Sequence, residues 1–269
     1  MQKDLRSMKK FETEFETILE RLKNKVPFAF SRWADGELFI LKGESFTLSP
    51  TSHFYHFPED QKHFDATQHD FVMKKLWDAF EYEAENYHIG ILSNGLCPPE
   101  NNNGHSTRDW MIEKSGSSIE NITFANVLIN SNYHRYRDEI IPLFKNYKTV
   151  ILCNERCSLD DDVFSTVVKD FRVGSNCIVN DIDKVDEMVE WVKKHQPEGY
   201  LFLFAASSLG NMCIHKLHEI APNNTYIDIG SSLNPDMKLS IDRGYLCGWA
   251  GQLWRGHDMS KELIGEEVW

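Results

Sequence analysis

The second half of the chain alternates between short apolar segments and amphipathic segments, and this alternation restricts the fold more than any other feature of the sequence. The apolar segments predict strands at Thr149–Cys153, Cys177–Asn180, Tyr200–Ala205 and Thr225–Ile229. The amphipathic segments predict helices near 160–171, 183–195 and 209–221. Strands that are apolar along their whole length are typical of a parallel sheet with helices on both faces. We therefore expect an α/β fold with a mostly parallel sheet.

The first half of the chain supplies further elements of the same kind. The predicted strands are Val26–Phe30, Ile89–Leu92 and Phe124–Ile129, and the predicted helices are 8–24, 134–146 and one that begins at Asp65 or Thr67. The sequence contains no internal repeat and no clear linker. We therefore expect a single domain over residues 1–269, with an irregular segment from about 231 to 269.

The formal net charge of −12 restricts the partners of the protein. Binding to nucleic acid or to an anionic membrane requires an excess of Lys and Arg, so we expect neither. A phosphate ligand would need cations gathered locally, and several arginines should then converge on one cleft. The candidates are Arg32, Arg135, Arg137, Arg156, Arg243 and Arg255.

The cysteines and the apolar segments indicate the environment of the protein. The six cysteines lie singly, without the paired spacing of a zinc site, so we expect buried, reduced thiols. The N-terminal segment is charged, and no run approaches the ~20 apolar residues of a membrane span. These features predict a soluble cytoplasmic protein without a membrane span.

Two carboxylates follow the first predicted strand directly. The segment Phe28–Ile40 begins apolar, breaks into Ser31, Arg32, Asp35 and Glu37, and becomes apolar again. Ligands of parallel α/β sheets gather at the carboxyl ends of strands, and Mg²⁺ or Mn²⁺ prefers oxygen ligands. Asp35 and Glu37 therefore form a candidate metal site, although a solvated turn would have the same local pattern.

A turn of small residues follows another predicted strand. In Ala205–Asn211, Ser207 and Ser208 precede a predicted helix, and Gly210 permits close approach of a ligand. Backbone N–H groups at the start of a helix bind anions, so this turn is a candidate phosphate cradle. The alternative is a serine that only caps the helix.

Two further carboxylates are candidates for proton transfer. Asp228 lies between isoleucines in a predicted buried strand, and Glu155 follows the strand that ends at Cys153. A buried carboxylate must be paired, hydrogen-bonded or protonated, and burial raises its pKa towards the range of a general base. The alternatives for Asp228 are a carboxylate that holds a ribose hydroxyl and a carboxylate with a structural role.

Other predicted strand ends are polar as well. Asn94 and Gly95 follow one strand, and Arg135 lies shortly after another. Because the carboxyl ends of parallel strands meet at one edge of a sheet, we expect a composite cleft there. The segment 49–65 is rich in His, Pro and aromatic residues, which is typical of a loop near such a site.

Three of these motifs together resemble a known family. The run Ser31–Leu38 resembles the early motif of the GT-D glycosyltransferases, in which an Arg and an aromatic residue precede Gly-Asp-Gly-Glu. Leu201–Gly210 and Tyr226–Gly230 resemble the two later motifs of that family, and their order and approximate spacing agree over nearly the whole chain. The resemblance implies a Rossmann-like fold, a nucleoside-diphosphate-sugar donor and a metal held by Asp35 and Glu37.

The leading hypothesis is a metal-assisted glycosyltransferase that moves a sugar from such a donor to a hydroxyl of a glycan or glycoconjugate. Asp35 and Glu37 would hold Mn²⁺ or Mg²⁺, and either Asp228 or Glu155 would deprotonate the acceptor. The residues expected to bind the phosphates and the nucleotide are Arg32, Asn94, Gly95, Ser207, Ser208 and Gly210. The alternative is a nucleotide- or sugar-phosphate-binding protein without turnover. The aromatic C-terminal segment is a candidate surface for the acceptor or for a homodimer.

Overall fold

The centre of this computed structural model is a sheet of seven parallel strands. The structure describes residues 11–48, 62–91, 107–129, 132–241 and 245–246, without the side chains of residues 11, 35 and 107–109. In chain order the strands are β1 (Ala29–Trp33), β2 (Phe46–Leu48), β3 (Lys62–Phe64), β4 (Tyr87–Ile91), β5 (Ile122–Phe124), β6 (Thr149–Asn154), β7 (Val167–Val173), β8 (Leu201–Phe204) and β9 (Thr225–Asp228). Strands β2 and β3 form a separate antiparallel pair, and the other strands form the sheet.

Helices cover the sheet. They are α1 (Phe11–Lys23), α2 (Asp35–Leu41), α3 (Asp70–Phe80), α4 (Thr107–Lys114), α5 (Tyr133–Arg135), α6 (Cys177–Asn180), α7 (Lys184–His195) and α8 (Ser208–Ile220). The chain after α5 continues in helical form, first as the π-helical turn Tyr136–Ile140 and then as the 3-10 helix Ile141–Asn146. None of the helices in the described ranges has the length and apolar character that a membrane crossing requires.

The strand order is β5-β4-β1-β9-β8-β6-β7. The chain builds one side of the sheet from β1 outward to β5, moves to the far edge at β6 and β7, and returns through β8 and β9 to the flank of β1. The order therefore changes direction beside β1, and ligands of open parallel sheets bind at such switch points. This architecture confirms the predicted α/β fold.

Side chains of β1 alternate between the two faces of the sheet. Ser31 accepts a hydrogen bond from Asn211 of α8, and the Trp33 ring packs 4.7 Å from the Phe80 ring of α3. The residue between them, Arg32, points to the other face and reaches the Ala125 carbonyl. This alternation follows from the two-residue period of a strand. It places α3 and α8 on one face and the Arg32 side chain on the other.

Two secondary-structure predictions are wrong in the type of element, and a third is wrong in where the strand ends. Part of the helix predicted near 160–171 is the strand β7, whose polar residues are tolerated because β7 lies at the edge of the sheet. The strand predicted at Cys177–Asn180 is the short helix α6, because a short apolar run does not distinguish a strand from a buried helical turn. The strand predicted to reach Ile129 ends at Phe124.

The described cysteines agree with the expected thiol chemistry. Cys153, Cys157, Cys177 and Cys213 are all buried and unbridged. Burial raises the pKa of the Cys177 thiol to about 12, so this thiol is protonated at neutral pH. These residues serve as small core side chains.

Helix α8 buries two histidines next to three tyrosines. His215 packs 4.5 Å from the ring of Tyr82, and the Tyr82 hydroxyl lies 3.1 Å from Nδ1 of His218. The rings of Tyr87 and Tyr226 contact His218 as well. Burial lowers the pKa of both histidines to about 4, so the fold favours their neutral forms.

These histidines should make the protein sensitive to mild acid. Their pKa values are lower in the folded state than in the unfolded state, so the stability that they confer is complete above about pH 6.5 and is lost as the pH falls towards 4. When the pH falls from 7 to 5, each histidine should lower the unfolding free energy by about 2 kcal/mol. The substitution His215→Phe should remove its share of this loss, as measured by urea unfolding at both pH values.

The control for this prediction is Met212→Leu, a volume-conserving substitution at a buried residue of the same helix that removes no titratable group. Met212→Leu should keep the native loss of unfolding free energy between the two pH values. An identical loss between the two pH values in native protein and in His215→Phe would contradict the prediction.

Candidate functional site

The described residues form a cavity of about 320 Å³ at the carboxyl ends of β1, β6, β8 and β9. The charged residues on its wall are Arg32, Glu37, Lys62 and Asp228. Small residues of the β8–α8 turn, including Ala206 and Ser207, form another part of the wall. The cavity therefore lies where parallel α/β sheets bind ligands, and it contains cations and carboxylates together.

Glu37 belongs to the first turn of α2, which begins directly after β1. One carboxylate oxygen accepts a hydrogen bond from the Ala34 backbone N–H at 2.9 Å, and the other accepts one from the Ser208 hydroxyl at 2.7 Å. A carboxylate at this position also interacts favourably with the helix dipole. Asp35 is the first residue of α2, so the solvated turn that was the alternative to a metal site is instead the start of a helix. The carboxylate of Asp35 lies outside the described atoms.

Arg32 is fixed at the cavity wall by two neighbours. Its Nε donates a hydrogen bond to the Ala125 carbonyl at 2.7 Å. Its guanidinium also lies directly against Gly230, where an added Cβ would stand 3.4 Å from Cζ and would overlap Nη1. Gly230 has a φ of +48°, which is favourable for glycine. The glycine therefore provides both the turn after β9 and the space for the guanidinium.

Asp228 is the last residue of β9 and is only 8% exposed, so the burial expected from its isoleucine neighbours is confirmed. Its Oδ1 accepts a hydrogen bond from the Gly230 N–H at 2.8 Å. Burial raises the pKa of Asp228 to about 6, with the negative charge of Glu37 adding to the rise and the positive charge of Arg32 opposing it. This carboxylate is consequently ionised at neutral pH and is more basic than an ordinary aspartate.

The three residues of the predicted phosphate cradle have different surroundings in the structure. Ser207 lines the cavity, has the unusual φ of +50° for a non-glycine residue, and makes no capping hydrogen bond with its side chain. Its hydroxyl instead accepts a hydrogen bond from Nζ of Lys62 at 3.0 Å. Ser208 is buried behind this wall against Glu37, and Gly210 packs on Phe204, where a Cβ would lie 3.3 Å from the Phe204 Cβ. Only Ser207 lines the cavity that the described residues form.

Of the remaining predicted site residues the structure describes Glu155, which does not line the cavity. Glu155 follows β6 and is exposed, whereas its neighbour Asn154 lines the cavity. Asn94 and Gly95 lie outside the described residues, as do Arg243 and Arg255.

Of the four candidate arginines that the structure describes, Arg32 lines the cavity and the other three do not, so the expected convergence of several arginines is wrong within the described ranges. Arg135 pairs with Glu16 and Glu139, and Arg137 pairs with Asp236. Arg156 is exposed, which leaves Arg32 as the arginine on the cavity wall within the described ranges. The sequence-based expectation overlooked that acidic neighbours in an acidic protein would engage arginines away from the cavity.

Lys62 and Asn176 are site residues that the sequence-based reasoning missed. Lys62 belongs to the segment 49–65 that was expected near a site, but it lies on strand β3 and not on a loop. The Asn176 side chain bonds both backbone groups of His63, at 2.9 and 3.0 Å, and this residue also lines the cavity. Only long-range packing brings β3 to the sheet, so a local sequence pattern did not reveal these residues.

Comparison with known proteins identifies the class of fold. No protein-family profile matches the sequence, and no curated protein matches it. Solved structures of the domain of unknown function 1792 do match the structure. One, described as having "a distinct glycosyltransferase fold", covers 84% of this chain and 81% of its own, with a TM-score of 0.50 and 13% identity. The other, described as "a new glycosyltransferase" from Streptococcus sanguinis, covers 84% of both chains, with a TM-score of 0.52 and 14% identity.

The structural neighbours of this chain are therefore proteins of the domain 1792 type with a glycosyltransferase fold. The match confirms the fold that the resemblance to GT-D glycosyltransferases implied. At this low identity the likeness concerns the fold, and a shared fold does not by itself define the reaction.

Proposed function

We propose that this protein is a glycosyltransferase that transfers a sugar from a nucleoside-diphosphate-sugar donor to a hydroxyl of a glycan or glycoconjugate. The observation that supports this most directly is the placement of Arg32 and Asp228 on the wall of one cavity at the carboxyl end of the sheet. Arg32 supplies a cation for phosphate oxygens, and Asp228 supplies a buried carboxylate that can accept a proton. The glycosyltransferase fold of the structural neighbours supports the same class of reaction.

Asp228 is the proposed general base. With a pKa of about 6 its carboxylate is ionised at neutral pH and basic enough to take the proton of an acceptor hydroxyl during attack. The acceptor oxygen would bond to the anomeric carbon while the bond from that carbon to the diphosphate oxygen breaks. The hydrogen bond from the Gly230 N–H holds one carboxylate oxygen in place.

The same wall suits a divalent cation. Glu37 and Asp228 both line the cavity, and Glu37 raises the pKa of Asp228, which shows that their negative charges repel each other. A hard cation with oxygen ligands would relieve that repulsion. We propose that Asp35 and Glu37 hold Mn²⁺ or Mg²⁺, which when bound supplies Lewis-acid stabilisation of the departing diphosphate. Among the described residues no group of three or more His, Cys, Asp or Glu side chains that could hold a metal ion occurs.

A thermal-shift screen with nucleoside diphosphates tests the proposed donor class. A ligand at about 100 times its Kd stabilises the folded state by about 2.7 kcal/mol, so at least one diphosphate should raise the Tm by about 5 °C. The stabilising nucleotide then defines which nucleotide sugars to assay for transfer. Absence of stabilisation by every common nucleoside diphosphate, with and without Mn²⁺, would contradict the proposal. Stabilisation without any sugar transfer or donor hydrolysis would indicate the alternative, a binding protein without turnover.

The metal assignment has its own prediction. In Asp35→Asn the additional stabilisation that Mn²⁺ gives in the presence of the nucleoside diphosphate should disappear, because one of the two proposed ligands is lost. Asp70 is a matched control, since it is likewise the first residue of a helix, α3. Asp70→Asn should keep the full response to Mn²⁺, and an equally full response in Asp35→Asn would exclude that carboxylate as a ligand.

A further inference from the structure

Lys62 brings a second cation to the cavity, from outside the main sheet. It is the first residue of β3, and among the described residues of the cavity wall only Arg32 and Lys62 carry positive charge. Its Nζ lies 3.0 Å from the Ser207 hydroxyl. Lys62 therefore stands beside the turn between β8 and α8, which the sequence alone suggested as a phosphate cradle.

The position of Lys62 is fixed by contacts on both sides. Strand β3 pairs with β2, with Lys62 opposite Leu48. The next residue, His63, is bound through its backbone N–H and C=O to the side chain of Asn176. These bonds tie the β2–β3 pair to the start of α6. The backbone next to Lys62 is therefore fixed at the cavity wall, and this limits the positions that the ammonium group can reach.

The partner of Lys62 is a neutral hydroxyl. Several other lysines in the described ranges pair with carboxylates, as Lys184 does with Glu187 and Lys193 with Glu190. Lys62 forms no such ion pair with any residue that the structure describes, and it is only partly exposed. An ammonium group at a cavity wall that is not neutralised by a carboxylate is suited to an anionic ligand.

We propose that Lys62 binds a phosphate oxygen of the diphosphate, together with Arg32 on the same wall. This inference rests on the proposed transferase function and deepens it. When the bond from the anomeric carbon to the diphosphate oxygen breaks, its electron pair stays on that oxygen, and the diphosphate gains negative charge. Lys62 stabilises this charge through its ammonium group and supplements the cation proposed at Asp35 and Glu37. The Ser207 hydroxyl orients Nζ before the ligand arrives.

Inorganic pyrophosphate isolates this interaction, because it contains the diphosphate without the base or the sugar. Its Kd should be measured by calorimetry with and without Mn²⁺ for native protein, Lys62→Met, Lys62→Gln and Lys62→Arg. We expect Lys62→Met and Lys62→Gln to weaken binding by about 10-fold, or about 1.4 kcal/mol, and Lys62→Arg to retain most of the affinity. The matched control is Lys74→Met, which removes an exposed lysine of α3 and should bind like native protein.

The outcomes separate this inference from the proposed function. Native affinity in both Lys62→Met and Lys62→Gln would overturn the role of Lys62 while the donor class remains supported. Equal loss in Lys62→Arg and Lys62→Met would overturn it too, because it would show that Lys62 has a structural role. If native protein binds neither pyrophosphate nor any nucleoside diphosphate, the proposed function fails together with the inference.

Discussion

Asp228→Asn is expected to lower the rate constant for sugar transfer by about 10²- to 10⁴-fold, because the acceptor hydroxyl loses the group that takes its proton. The substitution preserves the size of the side chain and an oxygen that can accept the hydrogen bond from the Gly230 N–H. Binding of the nucleoside diphosphate should therefore persist. Initial rates with the donor and acceptor, combined with thermal shifts for binding, measure the two effects separately.

The same substitution should not destabilise the protein. Burial raises the pKa of Asp228 to about 6, so the ionised carboxylate costs folding free energy at neutral pH. The sign follows from linkage: the folded pKa lies above the unfolded value, so the stability contributed by this group is present at low pH and is lost as the pH rises through about 6. Asparagine does not ionise, and we expect Asp228→Asn to raise the unfolding free energy at pH 7 by on the order of 2 kcal/mol.

Glu155 provides the comparison, since the sequence offered it as the other candidate base. It is exposed at the end of β6, and Glu155→Gln should transfer sugar at nearly the native rate. In native protein kcat/KM should fall as the pH is lowered towards the pKa of Asp228, which is about 6 without the divalent cation and lower once the cation is bound. A large loss in Glu155→Gln with little loss in Asp228→Asn would reassign the base.

Gly230→Ala is expected to lower transfer by about 10²-fold, because displacement of a positioned group by about 1 Å has an effect of that size. An added Cβ would overlap Nη1 of Arg32, so the guanidinium would have to leave its place at the wall. Any other position of the Arg32 guanidinium would break or distort the hydrogen bond from its Nε to the Ala125 carbonyl. The measurements are kcat/KM for the donor and the Kd of the nucleoside diphosphate.

Gly230→Ala has two effects, strain in the backbone at a positive φ and displacement of Arg32, and a control variant separates them. Gly199 has a φ of +68°, in the same left-handed region as Gly230, but its Cβ position has no neighbouring atom within 4 Å. Gly199→Ala should therefore lose about 1 kcal/mol of stability and keep native activity. If Gly230→Ala loses only stability, as the control does, then the contact between Gly230 and Arg32 has no role in donor binding.

Most of the sheet could be predicted from the sequence, because buried parallel strands need apolar residues along their whole length. β6, β8 and β9 follow that rule and were found within a residue or two of their ends. The rule fails at the edge strand β7, where one neighbour is missing and polar residues are accepted. It fails also at α6, which is too short to show a helical period.

The sequence by itself determined that polar residues lie at the ends of parallel strands, and this placed Arg32, Glu37, Ser207 and Asp228 at one edge of the sheet. The tertiary structure alone decided which of the nearby groups face the cavity. Ser208 and Gly210 turn to Glu37 and Phe204 because the helical repeat of α8 directs successive side chains to different sides. Lys62 belongs to the separate β2–β3 pair and contacts Ser207, a residue far from it in the sequence. No local sequence pattern encodes a contact between residues so far apart.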